Sequence, residues 1–158
     1  MLTVNIICIG KLKEGYLRDA SAEYVKRLGG FCRLNIVELP EYRLPSEPSA
    51  AEIAKGLAVE GEAILQRCRG FVTALCIEGK ECSSPELAAK LDRLTLDGVS
   101  EVSFVIGGSF GLADEVKRRA DWRLSMSPMT FPHQLARVML LEQIYRACSI
   151  SAGGKYHK

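Results

Sequence analysis

The chain has 158 residues, of which 47% are hydrophobic and 25% charged, and its formal net charge is +2. This length and composition predict one globular domain spanning residues 1–158 and exclude disordered and collagen-like chains. No apolar run is long enough to cross a membrane, and the first residues carry no secretory signal pattern, so we expect a soluble cytoplasmic protein.

Strand and helix patterns alternate along the chain. Apolar runs predict strands over residues 2–9, 34–39, 71–77, 102–106 and 122–126. Helical spacing predicts helices over residues 14–28, 49–67, 112–120 and 134–150, with a further helix that begins at Ser84 as its cap and Pro85 as its first residue. This order predicts an α/β fold whose mainly parallel sheet is covered by helices on both faces.

The last predicted helix has apolar residues almost all round it. A helix on the outside of a monomer normally keeps one polar face, so this pattern predicts two packing surfaces. A twofold partner subunit is the expected occupant of the second surface, and the alternative is a helix sunk in the core of its own chain. The apolar positions are Leu135, Val138, Met139, Leu140, Leu141, Ile144 and Tyr145.

The six cysteines and two histidines do not form a metal-binding pattern. No Cys-x-x-Cys pair is present, so no metal is expected. We expect the cysteines to be reduced, structural thiols, and the alternative is a redox-sensing role for Cys82.

Two adjacent glycines end the fourth predicted strand, in the run Gly107-Gly108-Ser109-Phe110-Gly111. The run lacks the Gly-x-Gly-x-x-Gly spacing of a dinucleotide fingerprint and does not follow the first strand. Glycines allow close backbone approach, and ligands bind at the carboxyl ends of strands in open parallel sheets. The run therefore predicts a ligand-binding turn, with a plain tight turn as the alternative.

A second loop, Met126 to Pro132, follows the fifth predicted strand. Its two prolines stiffen the backbone, and Met129 and Phe131 offer apolar walls to a flat ligand such as adenine. His133 follows the loop, where a capping or packing histidine is the more common role. Arg137 comes one turn later and is a candidate for contact with a ligand or a phosphate.

Several motifs together resemble the RlmH family of small SPOUT-class rRNA methyltransferases, and the match spans essentially the whole chain. The opening Gly10-Lys11-Leu12-Lys13-Glu14 and the terminal Tyr156-His157-Lys158 both belong to it. The remaining motifs are Glu23-Tyr24-x-Lys26-Arg27-Leu28, Ile106-Gly107-Gly108-Ser109-x-Gly111, Leu124 to Gln134, Arg137-Val138 and Glu142-Gln143-x-Tyr145-Arg146-Ala147.

The resemblance implies a fold, a cofactor and a reaction. It implies a C-terminal trefoil knot, a homodimer, S-adenosylmethionine as methyl donor, and methylation of N3 of a pseudouridine in 23S large-subunit rRNA. It places the tail, Tyr156, His157 and Lys158, near the target base. Pro128 stands where relatives often carry Lys. The implied cofactor-binding residues are Leu75, Gly107, Met126, Ser127, Pro128, Met129, Thr130 and Phe131.

The residue chemistry agrees with that reaction. The pseudouridine imide must lose a proton around the attack, and histidine is the side chain that titrates nearest neutral pH, so His157 is the candidate base. Arg137 or a tail lysine is a candidate to stabilise the developing charge, and Tyr156 to stack on a base. The alternative for the tail is a disordered terminus. Candidate phosphate-binding residues are Lys11, Lys13, Lys155 and Lys158.

The sequence therefore predicts a dimeric rRNA methyltransferase. Because the net charge is low, we expect it to act on an assembled ribosome or large subunit, whose shape would supply specificity. The main alternative is a non-catalytic ribosome-binding module of the same fold. A nucleotide-binding oxidoreductase is a weaker alternative, since the dinucleotide fingerprint is missing.

Overall fold

Five parallel strands form one sheet in the order β2-β1-β4-β3-β5 in the computed structural model, which describes residues 1–158. The strands are β1 (Thr3–Ile9), β2 (Arg33–Leu39), β3 (Phe71–Glu81), β4 (Glu101–Ile106) and β5 (Trp122–Ser125). The helices are α1 (Gly15–Leu28), α2 (Ala50–Arg67), α3 (Ser84–Leu96), α4 (Asp114–Arg119) and α5 (His133–Ser151). The predicted α/β fold and parallel sheet are confirmed.

Two apolar layers cover the sheet, one on each face. Helices α1, α3 and α5 pack on one face, and α2 and α4 pack on the other. Successive residues of β1 serve the two layers in turn: Ile6 and Cys8 belong to the first, and Ile7 and Ile9 to the second. A strand buried on both faces needs apolar residues at every position, which explains the unbroken apolar run.

Helix α5 lies between α1 and α3 and faces the sheet. Leu140, Leu141 and Ile144 are at most 1% exposed within the single chain. Burial in its own chain thus accounts for most of the apolar residues of this helix, as the alternative interpretation predicted. The outward stripe that remains starts with the partly covered Leu135 and Met139 and continues with the polar Glu142 and Arg146.

Most element ends lie within two residues of the sequence predictions, and two of the differences have a clear physical cause. Ser83, not Ser84, caps α3, because the Ser83 hydroxyl accepts from the Glu86 amide (3.2 Å) while the Glu86 carboxylate accepts from the Ser83 amide (2.9 Å). This reciprocal pair is a capping box. Strand β3 continues to Glu81 instead of ending near Ile77, through a register shift against β5. The shift matters because it shapes the cavity described below.

All six cysteines are free. Cys82 is half-buried, and burial raises the pKa of its thiol, which reduces the thiolate that a redox sensor needs. No helix combines the length and apolar character needed to span a membrane. Strand order alone does not establish a knot, so the trefoil knot stays an implication of the family resemblance.

Candidate functional site

A cavity of about 840 Å³ opens at the carboxyl ends of β3, β4 and β5. Its walls are the end of β3, the turn after β4, the loop after β5 and the first turn of α5. The volume lies in the ordinary range for small-molecule sites, roughly 300–1,000 Å³. The strand-end loops singled out in the sequence thus meet in one place. The predicted residues that line it are Leu75, Gly107, Met126, Ser127, Met129, Thr130 and Phe131, whereas Pro128 is exposed and does not line it.

The turn after β4 is both a tight turn and a cavity wall. Gly111 has φ +82° and donates from its amide to the Gly108 carbonyl at 3.1 Å. A Cβ on Gly107 would overlap the carbonyl of Gly111. Both glycines are therefore required for the turn to close, and the turn presents backbone to the cavity.

The loop after β5 is held by its own hydrogen bonds. The Ser125 hydroxyl donates to the Ser127 carbonyl (3.1 Å), and the Ser127 hydroxyl accepts from the Met129 amide (3.0 Å). Met129 lines the cavity yet is 74% exposed, so its thioether chain stands at the mouth. Such an apolar rim, on a backbone fixed by neighbouring prolines, suits a planar ring.

One cavity wall was missed from the sequence. Between Leu75 and Lys80, β3 leaves its register with β5, and the excursion places Glu78 on the wall opposite Lys117 of α4. The two side chains pair at 2.5 Å, and the Lys117 hydrogen bond lowers the pKa of Glu78. Gly79 lies against the backbone of β5 where a Cβ would clash. A glycine inside a strand pattern is a recognised sign of a bulge, and it was the available signal.

The start of α5 contributes His133 to the cavity wall. The side chain is half-buried, and burial, more than the neighbouring cations Arg137 and Lys13, lowers the pKa of this imidazole. At neutral pH His133 is therefore uncharged. It offers the cavity one hydrogen-bond donor and one acceptor.

Arg137, predicted to meet a ligand, is placed elsewhere. It is 3% exposed, does not line the cavity, and donates to the Glu38 carboxylate at 2.7 Å and to the Gly10 carbonyl at 2.9 Å. Its guanidinium ties α5 to the ends of β1 and β2. Both terminal nitrogens are committed to the fold, so Arg137 does not contact the cavity within this chain, and its catalytic role stays a prediction.

The C-terminal tail folds back onto α5 and α1 and is ordered by side-chain contacts. The Tyr156 ring packs edge-on to Tyr145 at 4.8 Å between centroids, and the Arg146 guanidinium lies 4.6 Å from the Tyr156 centroid. The Tyr156 hydroxyl donates to Glu142 at 3.2 Å. Neighbouring Tyr24, burial and the Glu142 carboxylate raise the pKa of Tyr156 to about 12, so Tyr156 stays protonated at neutral pH.

His157 contacts the same arginine. Its Nδ1 lies 3.2 Å from Nη1 of Arg146. A guanidinium has only donors, so Nδ1 accepts and the proton of a neutral ring sits on Nε2. In this arrangement the imidazole presents a donor outward. The proton-accepting nitrogen that a general base needs is occupied.

The tail and the cavity do not meet within one chain. The tail contacts α5 at Glu142 and Arg146, whereas α5 reaches the cavity through His133 and Ala136. The steps from Ala136 to Glu142 and to Arg146, six and ten residues, correspond to about 9 and 15 Å along a helix axis. The predicted lysines are similarly divided: Lys11 and Lys13 lie near the start of α5, and Lys155 and Lys158 follow its end, all exposed.

No group of three or more histidine, cysteine or acidic side chains is placed to hold a metal ion. The cavity instead combines apolar walls, backbone from two turns and one ion pair. These features fit an organic, adenine-containing cofactor.

A family model described as "Predicted SPOUT methyltransferase" matches residues 2–157. The chain belongs to the SPOUT methyltransferase family. It is 52% identical to "Ribosomal RNA large subunit methyltransferase H" of Bifidobacterium adolescentis, over 99% of this chain and 100% of that protein. A relative of the same name from Lactiplantibacillus plantarum is 48% identical over the same shares of the two chains. The resemblance found in the sequence motifs is thereby confirmed.

Solved structures agree with a SPOUT methyltransferase fold. A probable methyltransferase from Bordetella pertussis superposes with a TM-score of 0.58 at 18% identity, covering 92% of this chain and 93% of that one. A probable methylase family protein from Haemophilus influenzae gives 0.54 at 14% identity, over 98% of this chain and 70% of that one. At these identities the likeness concerns the fold alone.

Proposed function

We propose that this SPOUT methyltransferase uses S-adenosylmethionine to methylate N3 of a pseudouridine in 23S rRNA, in the cytoplasm and on an assembled large subunit or ribosome. The observation that carries the proposal is the cavity at the carboxyl ends of β3 to β5, which is lined by seven of the eight residues that the family resemblance implied. The names of relatives that are about half identical over the full chain support the choice of substrate.

The cavity residues would hold the cofactor in three ways. The turn at Gly107 and the loop from Met126 to Phe131 would approach the adenosine with backbone, and Leu75 would pack against its ring. The Glu78 carboxylate, kept ionised by Lys117, would complement a positively charged group. When bound, S-adenosylmethionine supplies an electrophilic methyl group on a sulfonium. The protein's task is then chiefly to position the acceptor.

The tail residues would act on the acceptor base. Tyr156, whose hydroxyl donates to Glu142, would stack on it. His157 would donate from Nε2 to a ring oxygen as negative charge develops on the imide, which replaces the base role first considered for it. The exposed Lys11, Lys13, Lys155 and Lys158 would bind flanking phosphates.

A second copy of the chain would bring the tail to the cavity. Within one chain the two regions contact different parts of α5. A twofold dimer through the outward stripe of α5, where Leu135 is 37% exposed, would place the tail of one subunit over the cavity of the other. Sedimentation of the purified protein as a dimer at micromolar concentration would support this arrangement.

The test combines cofactor binding with substrate modification. Calorimetry measures S-adenosylmethionine affinity, and a labelled methyl donor is then incubated with intact ribosomes, large subunits or protein-free 23S rRNA. We expect saturable binding and, by nucleoside mass spectrometry, one N3-methylated pseudouridine in large-subunit particles. Association with particles without methyl incorporation would favour the non-catalytic module instead. Efficient methylation of protein-free RNA would contradict the requirement for an assembled particle.

A further inference from the structure

The segment between β1 and α1 is fixed in place although it is a surface loop. The Gly10 amide donates to the Leu39 carbonyl (2.7 Å), and Arg137 donates to the Gly10 carbonyl (2.9 Å). The Lys13 amide donates to the Gln134 side chain at 2.9 Å. Arg18 then closes the segment from α1 by donating to the Lys13 carbonyl at 2.6 Å. A loop tied at this many points holds its backbone, and so the Cα positions of Lys11 and Lys13, in place.

This loop and the cavity share one support. Gln134 and Arg137 hold the loop, while His133 and Ala136 line the cavity, and all four belong to the first turns of α5. The width of a helix with its side chains is about 10–12 Å. A polynucleotide whose reacting base lies at the cavity mouth would therefore pass the loop within a few nucleotides.

Tyr16, in the first turn of α1, is the one tyrosine of five that the fold leaves exposed, at 71%. Tyr24, Tyr145 and Tyr156 pack on one another, and Tyr42 packs against Gly56. No protein group accepts a hydrogen bond from Tyr16 or packs over its ring in an aromatic pair. An aromatic ring presented to water on a rigid support is a stacking platform for an unpaired base.

The charges beside Tyr16 nearly cancel, since Lys11, Lys13 and Arg18 face Glu14 and Asp19. Lys11 and Lys13 are exposed and form no ion pair, while the carboxylates of Glu14 and Asp19 lie on the same segment. Charge alone would therefore hold RNA weakly at this surface. Stacking of a base on the Tyr16 ring would supply binding free energy that the charges do not. The two lysines would then contact the phosphates on either side of the stacked base.

We propose that Tyr16, Lys11 and Lys13 form a contact surface for single-stranded RNA, in which Tyr16 stacks on an unpaired base near the methylated nucleotide and the lysines bind its flanking phosphates. The proposal rests on the proposed function for its substrate. It adds a second contact, outside the methyl-transfer cavity, at which the protein would prefer RNA with an unpaired base next to the methylated nucleotide.

The test measures binding, which does not depend on methyl transfer. Wild type, Tyr16→Ala, Tyr16→Phe and Leu96→Ala are titrated with large subunits by co-sedimentation. We expect Tyr16→Ala to weaken binding about tenfold and Tyr16→Phe, which keeps the ring, to bind within about twofold of wild type. Leu96→Ala removes another highly exposed side chain, 82% exposed at the end of α3 just before the amino end of β4, and should bind like wild type.

The lysines have a separate signature. The double variant Lys11→Gln/Lys13→Gln should lower the slope of log affinity against log salt by about 1 to 2, whereas Lys55→Gln on α2 should leave it unchanged. Particle binding by Tyr16→Ala with wild-type affinity would overturn the proposal. So would a change in its sedimentation as a free protein, because Tyr16 would then be a subunit contact. If wild type binds particles without methylating them, the proposed function is contradicted. The comparison of Tyr16→Ala with wild type would still show whether Tyr16 contributes to particle binding.

Discussion

The cavity and the tail are built from different materials. At the cavity, glycines and local hydrogen bonds of the Ser125 and Ser127 hydroxyls shape two turns at strand ends, from residues close together in the chain. At the tail, the backbone is irregular, and an aromatic, guanidinium and carboxylate cluster holds Tyr156 and His157 against α5. The difference suggests a division of labour, in which the first region binds a cofactor and the second handles the acceptor.

The most severe way to break this comparison is to remove the tail. Deleting Tyr156 to Lys158 should abolish methylation of ribosomes and leave S-adenosylmethionine affinity unchanged, because no tail residue lines the cavity. Methyl incorporation and calorimetry measure the two effects on one protein preparation. Loss of cofactor binding in the truncated protein would refute the division.

The converse change is Gly107→Ala. The new Cβ would overlap the Gly111 carbonyl, so the turn must shift. Overpacking of this kind costs about 1–3 kcal/mol, which corresponds to roughly 5- to 150-fold weaker cofactor binding if the shift is felt in the cavity. Gly30→Ala is the matched control, since nothing lies within 4 Å of a Cβ there. Equal affinities for the two variants would show that the turn does not contact the cofactor.

Arg137 belongs to neither the cavity nor the tail, so we expect its substitution to affect stability. Arg137→Gln should lower the free energy of unfolding by about 1–3 kcal/mol, since it removes the charged hydrogen bonds to Glu38, whose side chain is 35% exposed, and to the Gly10 carbonyl. Arg93→Gln breaks an exposed pair with Asp97 and should cost at most about 1 kcal/mol. Urea titrations of both variants give the values. A stable Arg137→Gln protein that has lost only turnover would support the catalytic role.

The smallest expected effect is a pH dependence from the cavity wall. Burial lowers the pKa of His133, so the unfolded chain binds this proton more tightly than the folded protein does. The contribution of His133 to stability is therefore intact above its unfolded pKa, about 6.5, and declines as the pH falls below it. Unfolding curves of wild type and His133→Gln between pH 8 and 5, taken as approximate limits of the linkage window, should diverge only in the acidic part. Parallel curves would contradict this environment for His133.

The sequence predicted the cavity better than the tail, for a physical reason. A turn such as Gly107 to Gly111 depends on local backbone requirements, so the sequence of the turn itself predicts it. The tail cluster joins Tyr24 and Arg27 of α1 to Tyr145 and Tyr156, and only the fold brings these together.

The burial of α5 and the contacts of Arg137 could not be predicted from the spacing of residues in the sequence. The apolar stripes of α5 did not reveal that α1 and α3, rather than a partner, cover most of them. The position of Arg137, one turn into α5, suggested a ligand contact, whereas the ends of β1 and β2 take its guanidinium. In both cases the deciding neighbour is distant in the chain.

The central claim is that the cavity of one copy works with the tail of another. Mixing the Gly107→Ala protein with the tail-deleted protein, after unfolding and refolding them together in equal amounts, tests it directly. In a mixed dimer the intact cavity and the intact tail come from different chains. Random pairing makes half of the dimers mixed, with one working site in each, so methylation should return to about one quarter of the wild-type rate. If the mixture is no more active than the average of its two components, the cavity and the tail must act within one chain, and the account is wrong.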